Sequence, residues 1–170
     1  MKNLLFICGP NGIGKTTICK EIMRKLPNSA YVDSDPCRLM NPFILNDKTI
    51  PTIANNISDL LINYIGCPVI ETVIFSYGFH GRRKEVFELV MQAVSKRDFN
   101  FIPFLLTCSE EENIKRMNMD NRSSERKQRA IGESRKAFDD VSYPSIDITD
   151  FSASEAAENI IKKAGLSTED

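Results

Sequence analysis

The stretch Leu4-Leu5-Phe6-Ile7-Cys8-Gly9-Pro10-Asn11-Gly12-Ile13-Gly14-Lys15-Thr16 decides the fold. Its first five residues are apolar without a break, as in a strand buried on both faces of a parallel sheet. The next six carry three glycines and read as a tight turn. From about Lys15 to Leu26 the apolar residues Ile18, Ile22 and Leu26 recur every four positions, which predicts an amphipathic helix stopped by Pro27-Asn28. A buried strand, a glycine turn and a helix in that order form a phosphate cradle. Gly9, Gly12 and Gly14 let the backbone wrap tightly, so that amides of the turn, including those of Asn11 and Ile13, can point at phosphate oxygens. The N-terminus of the following helix adds partial positive charge. The pattern G-x-x-x-x-G-K-[ST] is matched in full. Lys15 is expected to reach the β and γ phosphates, Thr16 to ligate Mg²⁺, and Thr17 to complete the nucleotide contacts.

Working outward, the rest of the chain alternates strands and helices. Ala30–Val32 is a brief second strand ending at Asp33. Prolines 36, 42 and 51 punctuate a loop with room for one helical turn. A helix spans about Pro51–Ile65, with Ile53, Ile57, Leu60, Leu61 and Tyr64 on one side. Val69–Ser76 is a third strand. After a turn bounded by Gly78 and Gly81, a helix runs to about Lys96 with Val86, Leu89, Val90, Ala93 and Val94 inward. Phe101–Cys108 is a fourth strand, followed by a capping box of Ser109 and Glu112. A charged helical region extends to about Phe138. Ser145–Thr149 is a fifth strand, and a second capping box of Ser152 and Glu155 opens a last helix anchored by Ile160 and Ile161. Five strands alternating with helices predict a three-layer α/β fold with a parallel sheet.

The 170 residues fit one domain over 1–170. With 22 basic and 23 acidic residues, net charge −1, no global field steers the chain to nucleic acid or an anionic membrane, although a local basic patch stays open. Five scattered cysteines without C-x-x-C spacing, and a single histidine, argue against a zinc site and read as buried, reduced thiols of a cytoplasmic protein. No leader segment or membrane span is expected.

A second motif bears on what happens to the bound phosphates. Tyr31-Val32-Asp33-Ser34-Asp35-Pro36-Cys37-Arg38 puts two carboxylates just past the C-terminal end of strand two. That edge holds the ligand crevice in open α/β sheets. Asp33 is expected to orient the metal, and Asp35 to aim or deprotonate an attacking hydroxyl. Arg38 would hold an anionic or phosphorylated acceptor. Phosphoryl transfer needs mainly such positioning and charge neutralisation. The same residues would also make an Asx-rich turn with a solvated arginine. The guanine motif of a GTPase is absent. Strand three ends in Ser76-Tyr77-Gly78 rather than the Asp-Glu of an AAA+ motor.

With these motifs the chain resembles the P-loop kinases of the shikimate kinase and nucleoside monophosphate kinase superfamily. More loosely, it is similar to chloramphenicol phosphotransferase and polynucleotide 5′-kinase. The resemblance covers Leu4 to about Ala164. It rests on the phosphate loop, on Asp33 and Asp35 as the D-x-D of shikimate-type kinases, and on Asp35 with Arg38 as in polynucleotide kinases. It implies a five-stranded parallel sheet in order 2-3-1-4-5, ATP and Mg²⁺ as cofactors, and a mobile lid around residues 116–136. By the same resemblance Arg116 would stack on adenine and Arg122 would be the catalytic lid arginine, with Lys15 and Asp35 the other catalytic residues. Arg122, Arg126 and Arg129 fall at helical spacing, a pattern equally served by a solvated helix. The chain departs from the pattern after strand three, where shikimate kinases have a glycine triplet and many relatives an Asp at the position of Ser76.

Tyr77, His80 and Arg82 leave strand three at the same edge and are candidates for the acceptor pocket. The expected activity is ATP-dependent phosphorylation of a hydroxyl or phosphate on a small molecule, by a monomer or homodimer. No stable nucleic-acid or membrane partner is expected. A polynucleotide 5′-hydroxyl kinase and an ATP-binding regulatory module without phosphotransfer remain alternatives.

Overall fold

The computed structural model describes residues 1–119 and 123–168. Five strands, β1 (Lys2–Cys8), β2 (Ser29–Asp33), β3 (Thr72–Tyr77), β4 (Phe99–Thr107) and β5 (Ser145–Asp147), form one sheet in the order β2-β3-β1-β4-β5. All four pairings are parallel. The helices are α1 (Lys15–Lys25), α2 (Ile50–Gly66), α3 (Arg83–Val94), α4 (Glu110–Met119), α5 (Ser124–Ile131), α6 (Glu133–Lys136) and α7 (Ala153–Lys163). A 3-10 turn, Pro36–Arg38, supplies the single helical turn expected in the proline-rich loop.

The apolar run of β1 divides by parity between two cores. Leu4, Phe6 and Cys8 face α2 and α3, whereas Leu5 and Ile7 face α1 and α7. Helices on both faces remove the polar alternation that an antiparallel sheet would show. Phe6 centres an aromatic cluster, stacked on Phe87 at 4.8 Å and close to Phe75, Phe79 and Phe101. This packing fixes β1 and β3, and with them the loops that leave their C-terminal ends.

Several expectations shift in detail. β3 starts at Thr72, because residues 67–70 form a turn whose carbonyls at Cys67, Pro68 and Ile70 accept from Lys2 Nζ. Leu60, Tyr64 and Leu89 lie on the outer sides of their helices; Ile53, Ile57 and Leu61 and the trio Val86, Val90 and Val94 face inward. The charged region after β4 breaks into α4, α5 and α6. The Ser152–Glu155 capping box is complete. Its counterpart is half formed: Ser109 Oγ accepts from Glu112 N, but the Glu112 carboxylate turns to Lys115 and Arg116. Among the described residues no helix is long and apolar enough to cross a membrane. All five cysteines are free; Cys8, Cys19 and Cys108 are buried as expected, while Cys37 and Cys67 are only half-buried.

Burial pushes the Cys8 thiol from 9.0 up to about 12 and the Tyr77 phenol from 10.0 up to about 12. Cys19 is raised by the same cause. The unfolded chain therefore loses these protons first on raising the pH. Their contribution to stability is intact below about pH 8.5 and is lost as pH climbs towards 12. The thermal midpoint is expected to fall steeply between about pH 9 and 11. In a Cys8→Ala, Cys19→Ala variant, scanned by calorimetry, that fall should be shallower. An equal slope in both proteins would remove the thiols as its cause.

Candidate active site

The glycine turn joins β1 to α1 and is braced from distant parts of the chain. Gly9 has φ 151° and lies against β4: a Cβ there would sit 2.7 Å from the Leu106 carbonyl oxygen. Gly12, at φ 78°, is left-handed, and a Cβ would overlap the Met117 side chain of α4. The fully buried Asn113 of α4 donates from Nδ2 to the Asn11 carbonyl at 3.2 Å. The buried Ser134 hydroxyl of α6 accepts from Asn11 N at 2.8 Å. Asn113, Met117 and Ser134 were not anticipated, because nothing local marks a residue whose role is to meet a loop about a hundred positions away. Lys15 Nζ donates to the carbonyls of Gly9 and Pro10, at 2.7 and 2.8 Å, which folds the ammonium over the mouth of the turn.

Asp33 ends β2 beside Ser76 of β3 in the parallel register. Its carboxylate lies 3.5 Å from the Thr16 hydroxyl, which donates to Oδ2, while Oδ1 accepts from Asp35 N at 3.0 Å. The sequence motifs that were to share a metal therefore stand side by side. One carboxylate and one hydroxyl suit Mg²⁺, which keeps several waters and takes its other ligands from phosphates. Where an Asp would stand, Ser76 Oγ instead pairs with Tyr31 Oη at 2.7 Å. Burial raises the Tyr31 phenol above the usual tyrosine range, so this pair stays neutral.

A cavity of about 640 Å³ runs from the turn to the ends of β2 and β3. Asn11, Gly12, Gly14, Lys15, Thr16 and Thr17 line its phosphate side. Asp33, Asp35, Arg38, Phe43, Tyr77, His80 and Arg83 line the other. Asp35 precedes the 3-10 turn and its carboxylate pairs with Arg38. The Asp35 side chain is 69% exposed and that of Arg38 only 13%, so the acid opens to the cavity while the guanidinium forms its wall. Arg38 also lies over the Phe43 ring at 5.9 Å.

Arg82 requires a correction. It does not line the cavity; it pairs outward with Asp47 at 2.5 Å and with Glu85 at 2.7 Å. α3 begins one residue later, and Arg83 takes the place on the cavity wall.

Arg116 bridges the two sides of the nucleotide end. Its guanidinium donates to the carbonyls of Ile13, Ile148 and Phe151, at 2.9, 2.8 and 3.2 Å, and Nε donates to Glu112 at 2.9 Å. A planar group pinned along its edges keeps its faces for stacking. Arg122 lies outside the described residues; Arg126 and Arg129 fall within α5.

A family model described as an AAA domain matches residues 5–138. The chain belongs to this AAA domain family. Within the family label its strand β3 still ends in Ser76 and Tyr77, without the acidic pair of a motor. Among solved structures the AAA domain chain is similar to the tunicamycin resistance protein of Deinococcus radiodurans, with TM-score 0.68 and 17% identity over 98% of each chain. It is also similar to a gluconokinase from Sinorhizobium meliloti, with TM-score 0.65, 14% identity and 96% and 91% coverage of the two chains. Shikimate kinase from Acinetobacter baumannii, solved with shikimate, matches with TM-score 0.63 and 17% identity over 96% and 93%. These likenesses show the fold: a five-stranded parallel sheet in the order β2-β3-β1-β4-β5 between helices, shared with shikimate kinase. No curated protein matches the sequence.

Proposed function

We propose that the protein is an ATP-dependent phosphotransferase that moves the γ-phosphate of ATP to a hydroxyl or phosphate of a small molecule. The observation that carries this reading is a single cavity lined on one side by the glycine turn and on the other by Asp33 and Asp35. Gluconokinase and shikimate kinase among the structural neighbours support it. The amides from Gly12 to Thr17, with Lys15, bind the triphosphate, the expected Asn11 amide being taken instead by Ser134, and Arg116 offers a face to adenine. Thr16 and Asp33 would hold Mg²⁺, which would neutralise negative charge on the phosphates. Asp35 aims the acceptor hydroxyl at the terminal phosphorus and takes its proton. Lys15 leaves the Gly9 and Pro10 carbonyls to follow the moving charge. Within the expected lid of residues 116–136, Arg116, Met117 and Ser134 already hold the glycine turn, and Arg122 would add its charge over the phosphates.

A metabolite panel assayed for ADP formation tests the reading. Acceptor-dependent ADP release is expected with at least one hydroxylated small molecule. Tight ATP binding with no acceptor-dependent ADP across the panel would leave a nucleotide-binding module instead. Label transfer confined to 5′-hydroxyl oligonucleotides would overturn the small-molecule acceptor.

A further inference from the structure

The end of the cavity next to Thr16 and Asp33 holds a neutral pair, Tyr31 and Ser76, to which the phosphotransferase reading gives no part. Tyr31 and Asp33 lie two positions apart on β2, so both side chains leave the same face of the sheet, towards α1. Ser76 stands beside Asp33 in the register of β2 and β3, and it lines the cavity although it is only 4% exposed. The Thr16 hydroxyl reaches Asp33 Oδ2 at 3.5 Å, beyond the roughly 2.5–3.0 Å of a good O–H···O bond. The 2.7 Å contact of Tyr31 Oη with Ser76 Oγ is within that range. Tyr31 also has Thr16 as a hydrogen-bond partner, and Ser76 has Cys19, one turn along α1 from Thr16. A file of hydroxyls and one thiol therefore runs Thr16–Tyr31–Ser76–Cys19 behind the carboxylate. A threonine hydroxyl has one proton and two lone pairs. When a lone pair goes to a cation, the proton has to point away from it and needs an acceptor there. If Asp33 took that proton, part of its carboxylate would be turned from the metal. The Tyr31 oxygen can take it instead, pass its own proton to Ser76, and let Ser76 donate to the Cys19 sulfur. Every hydroxyl in the file then has an acceptor and no group changes charge.

We propose that Tyr31 is a positioning residue of the metal site: anchored by Ser76, its hydroxyl accepts the Thr16 proton and so leaves a Thr16 lone pair and the Asp33 carboxylate for Mg²⁺. The neutral pair takes over the orienting work of an acid at position 76, with one negative charge fewer beside the phosphates. This deepens, and rests on, the reading of the cavity as an ATP and Mg²⁺ site.

Calorimetric titration of the full chain with a non-hydrolysable ATP analogue tests it, run once with excess Mg²⁺ and once with EDTA. In the parent, Mg²⁺ is expected to tighten the analogue by about tenfold or more. Tyr31→Phe keeps the ring and removes only the hydroxyl. It is expected to reduce that tightening by about three- to tenfold, the worth of one hydrogen bond, while the affinity in EDTA stays within about twofold. Ser76→Ala leaves Tyr31 whole but without its anchor, and is expected to reduce the tightening by less. A merely structural part for Tyr31 would weaken both titrations alike, and that result overturns the proposal. So does a Tyr31→Phe variant with the parental ratio of the two affinities, or a parent whose affinity ignores Mg²⁺. Should a thermal scan show Tyr31→Phe unfolded, Ser76→Ala decides, and a parental ratio there overturns the proposal. Analogue bound in neither titration of the parent sinks the ATP reading and the part of Tyr31 with it, whereas a parental ratio in the variants sinks the part of Tyr31 alone.

Discussion

Replacing Lys15 with alanine is expected to slow phosphoryl transfer by about a thousandfold, or roughly 4 kcal/mol of transition-state stabilisation. The ammonium is the one side-chain cation that the glycine turn itself delivers to its mouth, where carbonyls of that turn, Gly9 and Pro10, accept from it. Those oxygens hold the charge in place until phosphate oxygens offer a stronger partner. Negative charge on the transferred group grows between ground and transition state, so the loss falls more on turnover than on ATP binding. The Lys15 side chain belongs to neither hydrophobic core, and the variant should unfold at nearly the parental temperature. Single-turnover kinetics with an identified acceptor, beside a thermal scan, make the check. Transfer within tenfold of the parent would remove Lys15 from the chemistry.

Asp35→Asn is expected to keep nucleotide affinity within about threefold and to lower turnover by about 10²–10⁴. Asparagine is nearly isosteric and can still accept from Arg38, so the 3-10 turn and the cavity wall should survive. It cannot take a proton. Asp33, which stands beside Thr16, is untouched, so the triphosphate end of the cavity stays as it was. The pair of variants separates two roles: Lys15→Ala impairs transfer at the phosphate and Asp35→Asn at the nucleophile. Equilibrium binding of a fluorescent ATP analogue together with steady-state rates would tell them apart. Parental turnover in Asp35→Asn would return that carboxylate to a purely structural part as the partner of Arg38.

Much of this was legible in the sequence, for identifiable physical reasons. An unbroken apolar strand ahead of a glycine turn has few other meanings, and the alternation of elements predicts a parallel sheet; the order of its strands came only with the resemblance to the P-loop kinases. The acids after β2 were found because the C-terminal edge of a parallel sheet collects ligands. What stayed hidden depends on phase or on distance. Arg82 and Arg83 are identical neighbours, and only the first residue of α3 decides which one turns to Glu85 and which to the cavity. Val69 has strand propensity, yet the carbonyls around it are claimed by Lys2 from β1. Glu112 left its capping partner because Arg116, one helical turn on, offered a charged one. Ser76 departs from the acid found in relatives, and only the contact with Tyr31 reveals what replaces it.

The bond from Asn11 to Ser134 spans 123 positions of sequence and closes the cradle into a ring. The smallest piece of this protein that can present a finished binding loop therefore extends through α6. A fragment cut after α5 would keep every residue of the motif and still leave one of its amides without a mate. Shortening or splitting the chain for engineering has to respect that circuit, with new termini placed beyond it, on the side of β5 and α7.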